Sequence, residues 1–559
     1  MSDLSGFVKM HSSAAIEGTI GSVSYLQGNR LMRVRGYGLV VGLQGRGSRT
    51  SLPAVREYLI REIRRARMNA LHVEHSKTPE ELVDDPGSAV VEVMGEIPAA
   101  ASKGQTFDVY VSAASFDPDT ESIAGGYLLL CDLKMFREVS PQEIIEGRTL
   151  AKARGPIFSN PFQGTDQSAA GGNPREGRVL AGGVVLADRE LSLVTVNESY
   201  ATIRQIENAI NQTFICKPKA ATGMSHNTVK LKIPPEFRGR ERRFLELVMH
   251  LPLVSSAAAR EARVKQLIAE IVRPDAPMED VSLSLEAMGP TAVGQLQTLY
   301  THRRREVNYY AARAGLRLGD ALALEVVARH ARDEKSPFRA QAIRELGEAD
   351  QSPAVRESGG RAMALRASAV LRELLMSTDP RIQILAYEAL RKVDPDSVHT
   401  RLVGQSPENF ILDVVPSDGP MLIYARRTGT RRVAMIGGDR LVLQPPFLYS
   451  EPGKPLLVSA VPDDRFISVL KKDRTGRTIV GPLRVGPSLP HFTHFLGNDP
   501  EVDLDGQLQG LGLEYSVVLD VLYRLCEKGA VAANFRWEEP GIEDLIGPLK
   551  PPGRPESEL

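Results

Sequence analysis

The chain has few cysteines, one tryptophan and no excess of either charge. Among 559 residues there are three cysteines, Cys131, Cys216 and Cys526. They lie far apart, form no Cys-x-x-Cys and have no histidine at zinc spacing, so a disulfide framework and a zinc finger are both excluded. At most one bridge can form, and cysteine usage is silent on compartment. Basic and acidic side chains number 69 each, so no long-range field gathers a polyanion, and nucleic acid or an anionic membrane could be held only by a local basic patch. No run of about eighteen apolar residues occurs, which excludes a spanning helix. The start, Met1 to Ala15, carries Lys9 but no apolar core, and does not read as a signal peptide. What remains is ordinary globular composition, 42% hydrophobic and 25% charged, with room for about three to four domains.

Periodicity divides the chain. Ile20 to Leu26 and Leu31 to Leu43 alternate and are punctuated by glycine, predicting strands with a turn at Gly28-Asn29. Ser51 can cap a helix over 52–67 whose apolar stripe is Leu52, Val55, Leu59, Ile63 and Ala66 and whose other face is rich in arginine. Short strands follow at 71–73, 89–93, 107–112 and 126–133, so 1–155 reads as an α+β domain. Residues 156–177 hold Asn160-Pro161, Gly171-Gly172 and Asn173-Pro174, a density of breakers that marks a flexible loop. Strands at 179–186 and 192–196 and a helix over 200–213 predict a second α/β unit over 178–254.

From 255 to 405 the pattern is helical only. Ser336 to Leu346 and Asp379 to Leu390 align Ala342 with Ala386 and Leu346 with Leu390, a spacing of 44 that falls within the range of about 40 to 47 for HEAT or armadillo helix pairs. A plain helical bundle with one coincidental match is the other reading. Residues 406–546 return to strands, at 411–415, 421–424, 432–436, 441–443 and 466–470, then a helix ending at Gly529 and a last strand at 531–537. The Pro-rich end, 547–559, reads as a disordered tail. The fold class is therefore multidomain α+β, small α/β units and a β-rich C-terminal part interrupted by an all-α insertion.

The chemistry templates fail one by one. The glycine loop Gly36 to Ser48 has strand, loop and helix in the order that cradles phosphate, but a P-loop needs lysine where Ser48 stands, and Gly36, Gly38 and Gly42 give one residue too many for a dinucleotide loop. His72 and His75 point to opposite faces of a strand, and neither they nor His491 and His494 have a visible third ligand. Gly223 to Asn227 lacks the second glycine of a nucleophile elbow. Arg56, Arg61, Arg64, Arg65 and Arg67, with Arg33, Arg35, Arg46 and Arg49, make a basic surface without the aromatic residues that stack bases. It reads as a solvated helix face, a subunit contact or a surface for an anionic polymer. No catalytic residue, cofactor or metal site is expected, and no nucleic acid.

Several strings, taken in order, resemble one family. Arg35 to Gly47, the pair Glu96-Ile97-Pro98 and Gly104 to Val109, Gly125 to Leu129, Ala151 to Pro156, the helix with Ile206 to Asn211, Ile233-Pro234-Pro235-Glu236-Phe237, Arg427-Thr428-Gly429-Thr430, Gly438-Asp439 and Gly510 to Val531 are similar to the bacterial flagellar P-ring protein family. The resemblance implies a non-enzymatic subunit that closes with copies of itself into a bushing around the flagellar rod, in the periplasm within the peptidoglycan layer. Its implied partners are itself, rod and L-ring proteins and peptidoglycan. Candidate assembly positions are Gly36, Tyr37, Gly38, Gly42, Arg56, Arg64, Pro234, Pro235, Gly429, Gly438 and Asp439. The helical block is foreign to the family pattern and reads as an insertion decorating the ring and binding a partner not yet known. The other reading is a HEAT-containing adaptor that keeps the P-ring fold.

Overall fold

The computed structural model of the protein describes residues 15–69, 77–135, 147–159, 173–253, 256–349, 360–404, 409–450, 456–462, 465–472, 478–502 and 508–539. The strand expected at 71–73 with His72 and His75, most of the 156–177 loop and the 547–559 tail lie outside these residues.

A helical turn, Ile20–Val23, leads into β1 (Ser24–Gln27), and Gly28 turns the chain at φ +87° into β2 (Met32–Val41). Then come α1 (Pro53–Asn69), α2 (Pro79–Val83), β3 (Ala89–Ile97), β4 (Thr106–Ala113), β5 (Tyr127–Met135), β6 (Thr149–Pro156) and β7 (Glu176–Val185). Six strands close an antiparallel barrel in the order β2-β3-β4-β7-β6-β5. Alternation puts Val34, Val91, Val93, Val109, Leu133, Ala151 and Val179 in its interior. On the outside, Val55, Leu59 and Ile63 of α1 cover Leu39 and Val90. The boundary expected at 156–177 is thus an internal connection, because β7 completes the barrel and leaves no strand edge open between β4 and β6.

β1 leaves the barrel for a second sheet, β1-β8-β10-β9, with β8 (Leu191–Thr195), β9 (Ala221–Gly223) and β10 (Thr228–Leu231). Helices α3 (Tyr200–Thr213) and α4 (Glu241–His250) pack on one of its faces around Leu193, Ile206, Val229 and Phe244. Ser199 caps α3 by accepting the Thr202 N–H, and Ile203, Ile206 and Ile210 form its buried stripe.

Eight helices follow among the described residues: α5 (Ala257–Ile271), α6 (Met278–Ala287), α7 (Val293–Gln297), α8 (Arg305–Arg317), α9 (Ala321–Arg332), α10 (Arg339–Leu346), α11 (Gly360–Leu374) and α12 (Pro380–Val393). Ala342, Ala386, Leu346 and Leu390 are all buried, and α10 lies against α12, where a Cβ on Gly347 would stand 2.7 Å from the Ala389 Cα. The helices differ in length, from 5 residues in α7 to 15 in α11, and a bundle accounts for the same burial.

The C-terminal part has β11 (His399–Val403), β12 (Phe410–Val415), β13 (Leu422–Ala425), β14 (Arg432–Ile436), β15 (Phe447–Ser450), β16 (Leu456–Ala460), β17 (Ile467–Lys472), β18 (Thr478–Val485), α13 (Leu489–Gly497), α14 (Tyr515–Glu527) and β19 (Asn534–Trp537). A five-stranded sheet, β11-β12-β14-β13-β19, is buried on both faces, so β14 is buried at every position. One face, with Val415, Leu422, Tyr424 and Ile436, shares a core with the helical block. The other, with Leu412, Val414, Ile423 and Met435, packs on α13, α14 and the β15–β18 sheet. The strand expected at 441–443 is instead two isolated bridges, Val442 to Ser488 and Leu443 to Val531.

Candidate assembly site

The glycine string serves the barrel. A Cβ on Gly36 would stand 2.2 Å from the Asp132 carbonyl oxygen and 2.8 Å from Cys131 Sγ, and one on Gly38 would stand 2.8 Å from Leu128 Cδ1. Both glycines let β2 approach β5 closely enough to close the seam. Between them Tyr37 points outward to Phe116, with ring centroids 6.1 Å apart, and burial pushes its hydroxyl pKa up. Gly42 and Gly45 take φ +82° and +88°. The amides of Leu43, Gly47 and Ser48 donate to the carbonyls of Gly87, Pro86 and Ser88 at 2.8–3.0 Å. Those three N–H groups are spent inside the fold, which supports the turn reading over a phosphate cradle.

Six arginines of the basic surface are paired with acidic side chains. Arg56 grips Asp84 through Nε at 2.9 Å and Nη2 at 2.5 Å, and this contact holds the Asp84 carboxyl below the usual carboxylate range. Arg64 meets Glu80, Arg65 meets Glu62 at 2.9 Å, Arg33 meets Glu96 at 3.0 Å and Arg35 meets Glu92 at 2.5 Å. Arg61 lies 5.8 Å over the Tyr58 ring. The pairs with Arg56 and Arg64 clamp α1 to α2, leaving a mosaic of both signs rather than an anion-binding stripe.

Pro234 is buried and Pro235 exposed; together they open a 3₁₀ turn that seats Phe237 in a cluster with Phe214 and Phe244, at centroid distances of 4.9–5.6 Å. Gly429 takes φ +63° and donates its N–H to both oxygens of Asp108, at 3.0 and 2.9 Å. Asp108 sits on β4 and also accepts the Ala181 N–H at 2.6 Å, and burial pushes its pKa up. Next to Gly429, the N–H groups of Arg427 and Thr428 donate to Glu538, both at 2.9 Å. This turn fastens the C-terminal sheet to the barrel. Gly437 and Gly438, at φ +121° and +56°, turn the chain out of β14, and Asp439 is exposed beside them. Sequence reasoning missed Asp108 and Glu538, since one polar residue in an alternating strand looks like any solvent-facing position. The structure packs α1 on β2, seats the Pro-Pro turn in the core of the second sheet and ties the 427–430 turn to β4, so these candidate positions are spread over three places.

Among the described residues, exposed apolar side chains gather at two of the sheets. On the second sheet Tyr25, Val194 and Thr228 lie in register on the side away from α3 and α4, and Val196, Tyr200 and Met224 are exposed near that end at 55%, 67% and 62%. At the β15–β18 sheet Leu448 is exposed on β15, and Val461 and Phe466 are exposed in the connection between β16 and β17. No group of three or more His, Cys, Asp or Glu is placed to hold a metal among the described residues, and no described helix is long and apolar enough to cross a membrane. His491 and His494 lie on α13. The three cysteines are free thiols; burial pushes Cys526 up to about 12 and Cys131 higher.

A small six-stranded barrel joined to a four-stranded α/β layer is the class of fold that the described residues define. The comparisons narrow it. Residues 19–265 match the family model of the flagellar P-ring protein. Flagellar P-ring protein 1 of Bradyrhizobium diazoefficiens is 29% identical over 275 residues, covering 46% of this chain and 66% of the relative. The flagellar P-ring protein of Rhodopseudomonas palustris BisB5 is 28% identical with the same coverage, and that of Nitrobacter winogradskyi is 31% identical over 238 residues, covering 39% of this chain and 56% of the relative. Residues 19–265 therefore form a flagellar P-ring domain, comprising the barrel and the second sheet, and the chain spans just under two thirds or less of these relatives' length. Gly36, Tyr37, Gly38, Gly42, Arg56, Arg64, Pro234 and Pro235 fall inside the matched stretch; Gly429, Gly438 and Asp439 fall outside it.

Proposed function

We propose that the protein is a structural, non-catalytic subunit of the flagellar P ring, assembling head to tail with copies of itself around the rod in the periplasmic part of the basal body. The observation that carries this reading is the P-ring domain at 19–265. Exposed apolar residues at two sheets on different parts of the chain support it, because a heterologous interface that closes into a ring needs two dissimilar patches on each subunit. The paired arginine face is then a neighbour or peptidoglycan contact, rod and L-ring proteins are its further neighbours, and the helical block, read as HEAT-like, projects from the ring toward a partner of its own. Electron microscopy of the purified chain, alone and with basal bodies of its source, tests the proposal. Closed rings or density around the rod are expected; monomers in both preparations would overturn it. The match ends within α5, which favours one competing reading, a HEAT-containing adaptor on a P-ring domain. In that reading residues 255–405 capture a protein partner without the ring.

A further inference from the structure

A cavity of ≈ 320 Å³ lies where the P-ring domain meets the helical block, between the end of α3, the Pro-Pro turn, α4, α6 and the end of α8. That size falls at the lower end of the range for small-molecule sites, about 300 to 1,000 Å³. Phe214, Phe237, Leu247, Met288 and Leu318 give it an apolar floor, and Arg240, Arg243, Arg260 and Arg317 stand on its wall against a single carboxylate, Glu286. Two of these arginines, Arg317 and Arg240, are fixed by glutamates outside the lining. Glu345 accepts from Arg317 Nε at 2.8 Å and from Arg313 Nε at 3.1 Å, while Glu348 meets Arg240 at 3.3 Å. Held in place in this way, the guanidinium groups lose little freedom on meeting a ligand. Arg243 pairs with Glu286, yet its Nε is buried without a hydrogen-bond partner, a donor left unsatisfied in the protein alone.

From this we infer that the cavity binds an amphipathic anion, a carboxylate or phosphate head held by Arg243 and its neighbouring arginines with an apolar body of about ten carbons on the phenylalanine and methionine floor. The site is independent of ring formation, because every wall belongs to one chain.

The test is calorimetric titration of the full chain with decanoate, decyl phosphate and decyl maltoside, all below micelle formation. One-to-one binding of at least one anion is expected, with the neutral glycoside at least tenfold weaker. A carboxylate that binds tighter identifies an acyl-type head, and a phosphate that binds tighter identifies a phosphoester. Ala287→Phe, which fills a half-buried wall position, and Arg260→Gln at the rim should each weaken the preferred anion by at least tenfold, with circular dichroism confirming that both variants are folded. Equal binding of the neutral glycoside, no saturable binding of either anion, or parental affinity in both variants would overturn the inference.

Discussion

Asp413 tests the architecture most directly. It is fully buried in the middle of the five-stranded sheet, on the face that meets the helical block. Arg432 of the adjacent strand donates to its Oδ2 at 2.5 Å, Thr400 donates to Oδ1 at 2.7 Å, and the Tyr387 hydroxyl of α12 donates to Oδ2. Burial and the neighbouring carboxylate keep that phenol well above its ordinary pKa. Asp413→Ala leaves a buried guanidinium without its counter-charge, which costs about 3–5 kcal/mol. Tyr387→Phe removes one hydrogen bond to a charged group, about 1.5–3 kcal/mol, and Thr400→Val, on an exposed residue, costs about 1 kcal/mol or less. Adding Arg432→Met to Asp413→Ala removes the stranded charge and should recover most of the loss. The single tryptophan, Trp537, lies on edge strand β19 of this sheet, so urea unfolding followed by its fluorescence reports on the element concerned. A cost below about 1 kcal/mol for Asp413→Ala, or a double variant no better than the single, would refute the account of a buried polar knot.

Other outcomes follow from the same contacts. Gly36→Ala drives a methyl into the Asp132 carbonyl at 2.2 Å, so the β2–β5 seam should lose about 1–3 kcal/mol, read as faster amide exchange along β5; unchanged exchange would remove the close-approach argument. Asp108→Ala orphans the N–H groups of Gly429 and Ala181 and should cost about 1–3 kcal/mol, with Gly429 losing exchange protection before the rest of its sheet. His330 and His494 are pushed below the ordinary histidine range, by burial first and then by Arg305 and by Arg401 respectively. The unfolded chain therefore binds more protons, and stability should be complete above about pH 6.5 and fall as pH drops through that value; a urea midpoint identical at pH 8 and 5.5 would contradict this. Excision of residues 256–398 should yield insoluble protein, since it uncovers Val415, Leu422, Tyr424 and Ile436. A soluble, ring-competent product would show the helical block to be a separable decoration.

Local structure was legible where one signal decided it. The helix expected at 200–213 is α3 at those bounds, because a serine cap and an isoleucine stripe agree. The strand expected at 432–436 is β14, an arginine and four apolar residues between turns. The sequence did not reveal which strands pair. β1 and β2 are adjacent in sequence yet enter different sheets, and β7 crosses a breaker-rich loop to finish a barrel begun well over a hundred residues earlier. Pairing is a long-range choice, settled by closure and by cores that no local window contains. For the same reason the arginine surface looked cationic: Glu80, Asp84, Glu92 and Glu96, its neutralising partners, are separated from it in sequence and meet it only in the fold.

The helical block is coupled to the P-ring domain as well as to the C-terminal sheet. Alternate residues of β12 point opposite ways, Asp413 and Val415 to the helices, Leu412 and Val414 to α13 and α14. A displacement of α12 therefore reaches β12 and β14 through Tyr387, Asp413 and Arg432. From β14 it passes to the 427–430 turn and so to Asp108 on the barrel. A second route runs from Arg317 and Glu345 through Glu348 to Arg240 beside the Pro-Pro turn. Each route crosses buried or half-buried hydrogen-bonded charges rather than a flexible linker. Two rigid connections between the same bodies leave little hinge freedom, so a partner that grips the helices grips the barrel with them.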